Sequence, residues 1–72
     1  MKLNVEIGQN IVSKRKQLGL TQEKLALEAN ISISYLRRIE HGTANPTINQ
    51  LERIVAPMGI TLKNLMTNRA EI

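Results

Sequence analysis

The chain has 72 residues, the size of one small domain, and it contains no cysteine, which excludes disulfide bonds and thiolate metal sites. Lysine and arginine total 10 against 6 acidic residues, and the resulting net charge of +4 favours an anionic partner. Hydrophobic residues make up 42% of the chain, too many for a disordered protein, and one tyrosine is the only aromatic residue.

The apolar segments of the sequence are too short to cross a membrane. The longest, residues 54–60, is interrupted by Pro57 and Gly59 and is far shorter than the roughly 18 residues that a span requires. The N-terminal residues lack the apolar stretch of a signal peptide. We therefore expect a single cytoplasmic domain over 1–72 that makes no contact with a membrane.

Glycine, proline and capping residues divide the chain into five short predicted helices. The first runs from Val5 to Leu18, where apolar residues recur at helical spacing, and Gly19 ends it. The second follows Thr21, a predicted N-cap, and closes at Asn30.

The third predicted helix lies between Ser32, as N-cap, and Gly42. At about 100° per residue, Leu36 and Ile39 point in one direction, which we take as the direction of the core. The opposite face carries no acidic residue and presents Ser34, Arg37, Arg38 and His41, with Ile33 at its margin.

Two further helices complete the predicted fold. Thr47 caps the fourth, which we expect to end at Ala56 because Pro57 disfavours helical geometry in the preceding residue. Thr61 caps a last short helix, and no segment alternates with a period of two. The predicted fold is therefore all-α, with the second and third helices joined by a tight turn at 30–32.

Two interpretations of the outward face of the third helix compete. It could be an ordinary solvated surface, but such faces normally mix positive and negative charges. It could instead enter the major groove of DNA, where arginine binds guanine O6 and N7 and serine donates or accepts a hydrogen bond. Ile33 would then contact a thymine methyl group.

Residues 19–42 (GLTQEKLALEANISISYLRRIEHG), preceded by IGQNIVSKRKQL and followed by NPTINQLERI, resemble the Xre-like, lambda-repressor-like helix-turn-helix family. The resemblance covers roughly residues 7–66 and leaves 67–72 as a short tail. It implies a compact five-helix domain whose second and third helices form the helix-turn-helix. It also implies a transcriptional regulator of double-stranded DNA, for which we expect neither a cofactor nor a small-molecule ligand.

The resemblance implies roles for individual residues. The part of the third helix that reads bases in this family holds Ile33, Ser34, Arg37 and Arg38. Family contacts with the DNA backbone match Thr21, Gln22 and, at the rim of the helix, Tyr35. By their own chemistry Asn45, Thr47 and Lys14 are further candidates for phosphate contacts. A partly buried, structural ion pair is expected between Arg15 and Glu40.

Structural explanations compete for three of these backbone contacts. Thr21 is also an N-cap, Tyr35 could be a half-buried tyrosine with a solvated hydroxyl, and Lys14 suits the dipole at the end of the first helix. The side chain of Gln22 is not needed for packing, which favours a functional role. The loop 43–49 lacks lysine and arginine, so we expect a shallow salt dependence of binding.

A lone helix-turn-helix buries too little DNA surface for tight specific binding, so we expect a homodimer on a near-palindromic operator. The candidates for its interface are Leu62, Leu65, Met66 and Ile72, of which the first two could instead close the core. Pro57 stands where the family usually continues the fourth helix, which leaves the dimer geometry open.

Three other functions compete with DNA binding. An enzyme is disfavoured because the single histidine, His41, lies about 10 Å along the helix from Ser34, too far for a nucleophile and its base. Single-stranded nucleic acids are disfavoured because one tyrosine cannot stack several bases. The main alternative is a protein-interaction module of the same fold, of antitoxin or anti-repressor type, with exposed aliphatic residues on the third helix. The operator and the choice between repressor and activator stay open.

Overall fold

The computed structural model describes residues 2–67. Its helices are α1 (Lys2–Gln17), α2 (Gln22–Ala29), α3 (Ile33–His41), α4 (Ile48–Met58) and α5 (Leu62–Met66). The described residues form no strand, so the predicted all-α class with five helices is confirmed. Within the same residues, no helix combines the length and the apolar character that crossing a bilayer demands.

The predicted N-caps all form. At the start of α2, α3, α4 and α5 a side-chain hydroxyl accepts a hydrogen bond from the backbone N–H three residues later. Each such bond satisfies an otherwise unpaired helix donor and contributes about 1 kcal/mol. The four caps are Thr21, Ser32, Thr47 and Thr61.

The turn between α2 and α3 depends on Asn30. This residue ends α2 in the left-handed conformation, with φ 59° and ψ 46°, which asparagine tolerates better than most residues. Its N–H donates to Leu27 O, and Ile31 N–H donates to Ala26 O, so two of the last four carbonyl groups of α2 are satisfied. Ser32 then begins α3 at once.

Side chains from all five helices form the core. α1 packs against α3 and α5, while α2 packs against α3 and α4. Most of the aliphatic residues that helical spacing places on the inner faces are buried there. Ile48 and Leu18, which the same spacing predicts to be buried, are instead 60% and 47% exposed. The largest fully buried side chains are Ile11, Leu25, Leu36, Ile39, Ile54 and Leu65.

Glycine lets α1 approach the end of α3 closely. Gly8 faces the backbone carbonyl groups of Ile39 and Glu40, and a Cβ atom at this position would lie only 2.6 Å from Glu40 O. At Gly42, which has φ +78°, a Cβ atom would lie 2.7 Å from Val5 Cγ2. These two contacts fix where α3 lies on α1 and where it ends.

Two predicted helix ends were wrong. α4 continues through Pro57 to Met58 instead of ending at Ala56. Met58 is only 4% exposed, so the burial of its side chain offsets the hydrogen bond that proline cannot donate in the last turn. α1 begins at Lys2 rather than at Val5.

The early start of α1 has a tertiary cause. Asn4 Nδ2 donates a 2.6 Å hydrogen bond to Asn45 Oδ1 in the loop before α4. Val5, in the next position, lies against Gly42. Both contacts hold the first turn of α1 in place, and neither can be read from local sequence spacing.

Candidate nucleic-acid interface

The side chains of α3 divide into a buried and an exposed face. Leu36 and Ile39 are 0% and 1% exposed, respectively, and point into the core. Ile33 is half-buried and packs against that core, so it lies between the two faces. The exposed residues of α3 are Ser34, Arg37, Arg38 and His41.

A buried ion pair connects α3 to α1. Arg15 Nε donates to Glu40 Oε2 at 2.8 Å, and Arg15 Nη2 donates to Glu40 Oε1 at 3.2 Å. Arg15 Nη1 donates to Leu20 O at 2.9 Å, so every nitrogen of this guanidinium takes part. The side chains are 10% and 5% exposed, and their geometry is therefore fixed by the surrounding protein.

Gln22, the first residue of α2, extends this pair towards the exposed face of α3. Its Nε2 donates to Glu40 Oε1 at 2.8 Å, and its Oε1 accepts a 3.3 Å hydrogen bond from Arg37 Nε. The expectation that the side chain of Gln22 has no structural part is therefore corrected. It is half-buried and joins three helices through Arg15, Glu40 and Arg37.

Arg38 has different neighbours. Its Cζ lies 5.9 Å from the centre of the Tyr35 ring, within the range of a cation–π contact. The Tyr35 hydroxyl donates to Gln50 Oε1 at 2.9 Å, so this hydroxyl is hydrogen-bonded within the protein. Gln50 Oε1 also accepts from Thr47 N–H at 2.8 Å, which completes the capping box of α4.

Gln50 is a residue of this site that the sequence reasoning missed. The signal was present, because a threonine followed three residues later by glutamine is the pattern of a capping box. That pattern predicts the bond to Thr47 but not the second bond to Tyr35, which depends on how α3 packs near α4.

The other candidates for backbone contacts lie in α1, before α2, and in the loop before α4. Thr21 is exposed next to Gln22, and its Oγ1 accepts the capping bond from Lys24 N–H. Lys14 is half-buried in the last turn of α1. Asn45 and Thr47 are exposed in and after the loop that precedes α4.

One candidate for the dimer interface has a different position from the expected one. Leu65 is 0% exposed and closes the core, so it is not available to a partner, and its assignment to an interface was wrong. Leu62 is half-buried against the same core, whereas Met66 is 41% exposed. Ile72 lies outside the described residues.

Two short helices joined by a tight turn, with the second helix exposing a basic, hydrogen-bonding face, define a helix-turn-helix domain. The helix-turn-helix family model matches residues 11–65. The chain belongs to this family, in its Xre-like, lambda-repressor-like form, as the resemblance in the sequence indicated.

Relatives with known names are similar over most of this chain. The immunity repressor protein of Bacillus phage phi105 is 40% identical over 60 residues, which are 83% of this chain and 42% of the repressor. An uncharacterized helix-turn-helix-type transcriptional regulator of Haemophilus influenzae is 33% identical over 60 residues, which are 83% of this chain and 61% of the regulator. The chain thus spans about half the length of these two relatives.

A solved structure has the same fold. The restriction-modification controller protein C.AhdI from Aeromonas hydrophila superposes with a TM-score of 0.88 at 26% sequence identity. The match covers 90% of this chain and 98% of C.AhdI. The helical arrangement described above is therefore that of a known regulator of similar length.

Proposed function

We propose that this protein is a transcriptional regulator that binds double-stranded DNA sequence-specifically, with α3 in the major groove. One observation carries the proposal. α3 exposes Arg37, Arg38 and Ser34 together, while no acidic residue is exposed on this helix. The net charge of +4 favours the same partner, because a polyanion attracts a basic surface.

The chemistry of the exposed face fits base edges. A guanidinium group can donate two hydrogen bonds to guanine O6 and N7, and a serine hydroxyl can donate to or accept from most bases. Ser34 lies in the first turn of α3, the part that contacts bases when such a helix enters the groove. The half-buried Ile33 offers apolar contact to a thymine methyl group.

Contacts with phosphate groups are proposed on both flanks of α3. The first flank consists of Thr21 and Gln22 at the start of α2, together with Lys14 at the end of α1. The second consists of Asn45 and Thr47, together with Tyr35, whose hydroxyl would have to turn from Gln50 to donate to a phosphate oxygen. Such contacts hold the protein in register on the duplex and leave the reading of the sequence to α3.

We further propose that the protein acts in the cytoplasm as a homodimer, without a cofactor, a small-molecule ligand or an enzymatic activity. Two copies would bind half-sites about 34 Å apart, one turn of DNA, on a near-palindromic operator. Met66, which is exposed, and Leu62 are the proposed interface residues within the described part of the chain. The names of the relatives, a repressor and a transcriptional regulator, support this regulatory role.

Selection of bound sequences from a random pool of DNA duplexes tests the proposal. We expect an enriched motif with two-fold symmetry. Arg38→Ala should weaken binding to the selected duplex about tenfold, whereas Arg53→Ala, which removes an exposed arginine from α4, should change it less than threefold. A bound pool without any enriched sequence would contradict specific recognition.

A protein-interaction module of the same fold is the alternative function. Such a module is expected to expose aliphatic side chains on α3, but Leu36 and Ile39 are buried and Ile33 is half-buried. Retention on a duplex-DNA column distinguishes the two functions. The DNA-binding protein should be retained at low salt and elute as the salt concentration rises, whereas an interaction-only module should pass through at low salt.

A further inference from the structure

We propose that two separate polar networks orient the adjacent arginines of α3, with Gln22 as the positioning residue for Arg37 and Tyr35 as the positioning residue for Arg38. This inference rests on the proposed function, because it concerns how the two guanidinium groups are presented to DNA. It adds that the two groups act independently, although they are neighbours in the chain.

The amide of Gln22 has only one favourable orientation. Its Nε2 faces the carboxylate of Glu40 at 2.8 Å, and its Oε1 faces the guanidinium of Arg37 at 3.3 Å. Turning the amide by 180° would set oxygen against carboxylate and nitrogen against guanidinium, and both contacts would be repulsive. Glu40 is in turn held by two hydrogen bonds from Arg15. The acceptor offered to Arg37 is therefore fixed by a buried ion pair.

This contact determines which part of Arg37 faces outward. Its Nε is used by Gln22, while Nη1 and Nη2 have no hydrogen-bond partner within the described residues. The two terminal nitrogens are the pair that binds guanine, or a phosphate group, end-on. Without Gln22 the exposed side chain would occupy several rotamers and would lose more entropy on binding.

Arg38 depends on a different set of residues. The face of the Tyr35 ring lies 5.9 Å from Arg38 Cζ and attracts the cation. The ring itself is held by the bond from its hydroxyl to Gln50 Oε1, and Gln50 is held by the capping box with Thr47. The orientation of Arg38 is thus linked to the first turn of α4.

The two networks share no residue within the described part of the chain. The first joins Arg37 to α1 and α2 through Gln22 and Glu40. The second joins Arg38 to α4 through Tyr35 and Gln50. Side-chain contacts that have no residue in common usually contribute additively, so a change in one network should have little effect on the arginine of the other.

Double-mutant cycles on the selected duplex test this separation. Gln22→Met, which keeps the length of the side chain but removes both hydrogen bonds, is combined with Arg37→Ala and, as the matched control, with Arg38→Ala. We expect the loss of affinity caused by Gln22→Met to be about threefold larger when Arg37 is present than when it is alanine. The same loss should not depend on whether Arg38 is present. The phosphate contact proposed above for Gln22 would by itself lower the affinity by the same factor in every background, so only the difference between the Arg37 backgrounds measures the positioning role.

Tyr35 is tested in the reciprocal cycle. The factor by which Tyr35→Leu weakens DNA binding should be about three times smaller when Arg38 is replaced by alanine. It should be unchanged when Arg37 is replaced. Tyr35→Phe keeps the ring and removes only the bond to Gln50, so it should give a smaller coupling of the same pattern. If the leucine variant does not fold, the phenylalanine variant supplies the cycle.

A measurement on the protein without DNA separates this inference from the proposed function. In the NMR spectrum, Gln22→Met should shift the Nε–Hε signal of Arg37 and leave that of Arg38 in place. The positioning role is overturned if Gln22 couples equally to Arg37 and Arg38, or to neither. An unshifted Arg37 signal overturns it as well. Failure of the wild-type protein to bind any duplex overturns the proposed function, and the NMR signal still decides whether Gln22 holds Arg37.

Discussion

Arg15 and Glu40 join α1 to α3 through two hydrogen bonds, at 2.8 and 3.2 Å, in a position where both side chains are almost completely buried. The carboxylate also accepts from Gln22, so the exposed arginine that Gln22 contacts is connected to the interior of the protein. The candidate interface is therefore held by a buried ion pair as well as by apolar packing.

Replacing Arg15 by methionine should destabilise the protein strongly. The variant keeps apolar packing but leaves Glu40 buried without its cation, which typically costs about 3–5 kcal/mol. The free energy of unfolding, measured with urea, checks this. Glu28→Gln is the matched control, because the Lys24–Glu28 pair is exposed and its loss should cost less than about 1 kcal/mol. Similar losses of unfolding free energy in the two variants would show that the buried pair stabilises the protein no more than the exposed pair does.

Gly8→Ala should also destabilise the protein, although alanine is the better helix former. The new Cβ would lie 2.6 Å from Glu40 O and even closer to Ile39 O, so α1 would have to move away from α3. Overpacking of this kind costs about 1–3 kcal/mol, which exceeds the gain in helix propensity of about 1 kcal/mol. Ser13→Ala, at an exposed position of the same helix, should change stability by less than about 0.5 kcal/mol in the same denaturation experiment.

Pro57→Ala should stabilise the protein. Pro57 lies inside α4 and cannot donate the hydrogen bond that this position would make to the carbonyl of Arg53. Alanine restores the donor, which stabilises the folded protein, and it also makes the unfolded chain more flexible, which opposes folding. The first effect should be larger, so the free energy of unfolding should rise by about 1 kcal/mol. Thermal unfolding at fixed protein concentration measures the difference. A lower melting temperature would mean that packing of the proline ring outweighs the missing bond.

The helices were predictable from sequence because their signals are local. Hydroxyl caps at Thr21, Ser32, Thr47 and Thr61 and the apolar spacing within each helix do not depend on the rest of the protein. The ends of α1 and α4 were not predictable, because tertiary contacts decide them. Asn4 meets Asn45 only in the folded protein, and the burial of Met58 extends α4 beyond Ala56.

The candidate interface was predictable in part for the same reason. Helical periodicity alone separates Arg37 and Arg38 from the buried Leu36 and Ile39. Periodicity cannot give contacts between helices, such as the one from Gln22 to Arg37, because these depend on how the helices cross. The roles of these residues toward DNA stay predictions.

Leu65 and Met66 should respond differently to truncation. Leu65→Ala removes a side chain that is 0% exposed and should lower the free energy of unfolding by about 2–5 kcal/mol. Met66→Ala removes an exposed side chain and should change monomer stability by less than about 0.5 kcal/mol. If Met66 belongs to a dimer interface, its variant should dissociate at higher protein concentration in sedimentation equilibrium. An unchanged dissociation constant would remove Met66 from the interface.

The salt dependence of DNA binding should distinguish a phosphate contact from a base contact. Lys14→Ala removes one cation at the end of α1, so the slope of log K against log salt concentration should fall by about 0.9, with unchanged sequence preference. Arg38→Ala should instead cost about 1–3 kcal/mol on the selected duplex and relax the preference at one base pair. Titrations of both variants at several salt concentrations, on the selected duplex and on a scrambled one, provide the comparison. An equal loss on both duplexes would reassign Arg38 to the DNA backbone.

The salt dependence of DNA binding by the wild-type protein should itself be shallow, because the exposed loop residues 43, 45 and 47 carry no positive charge.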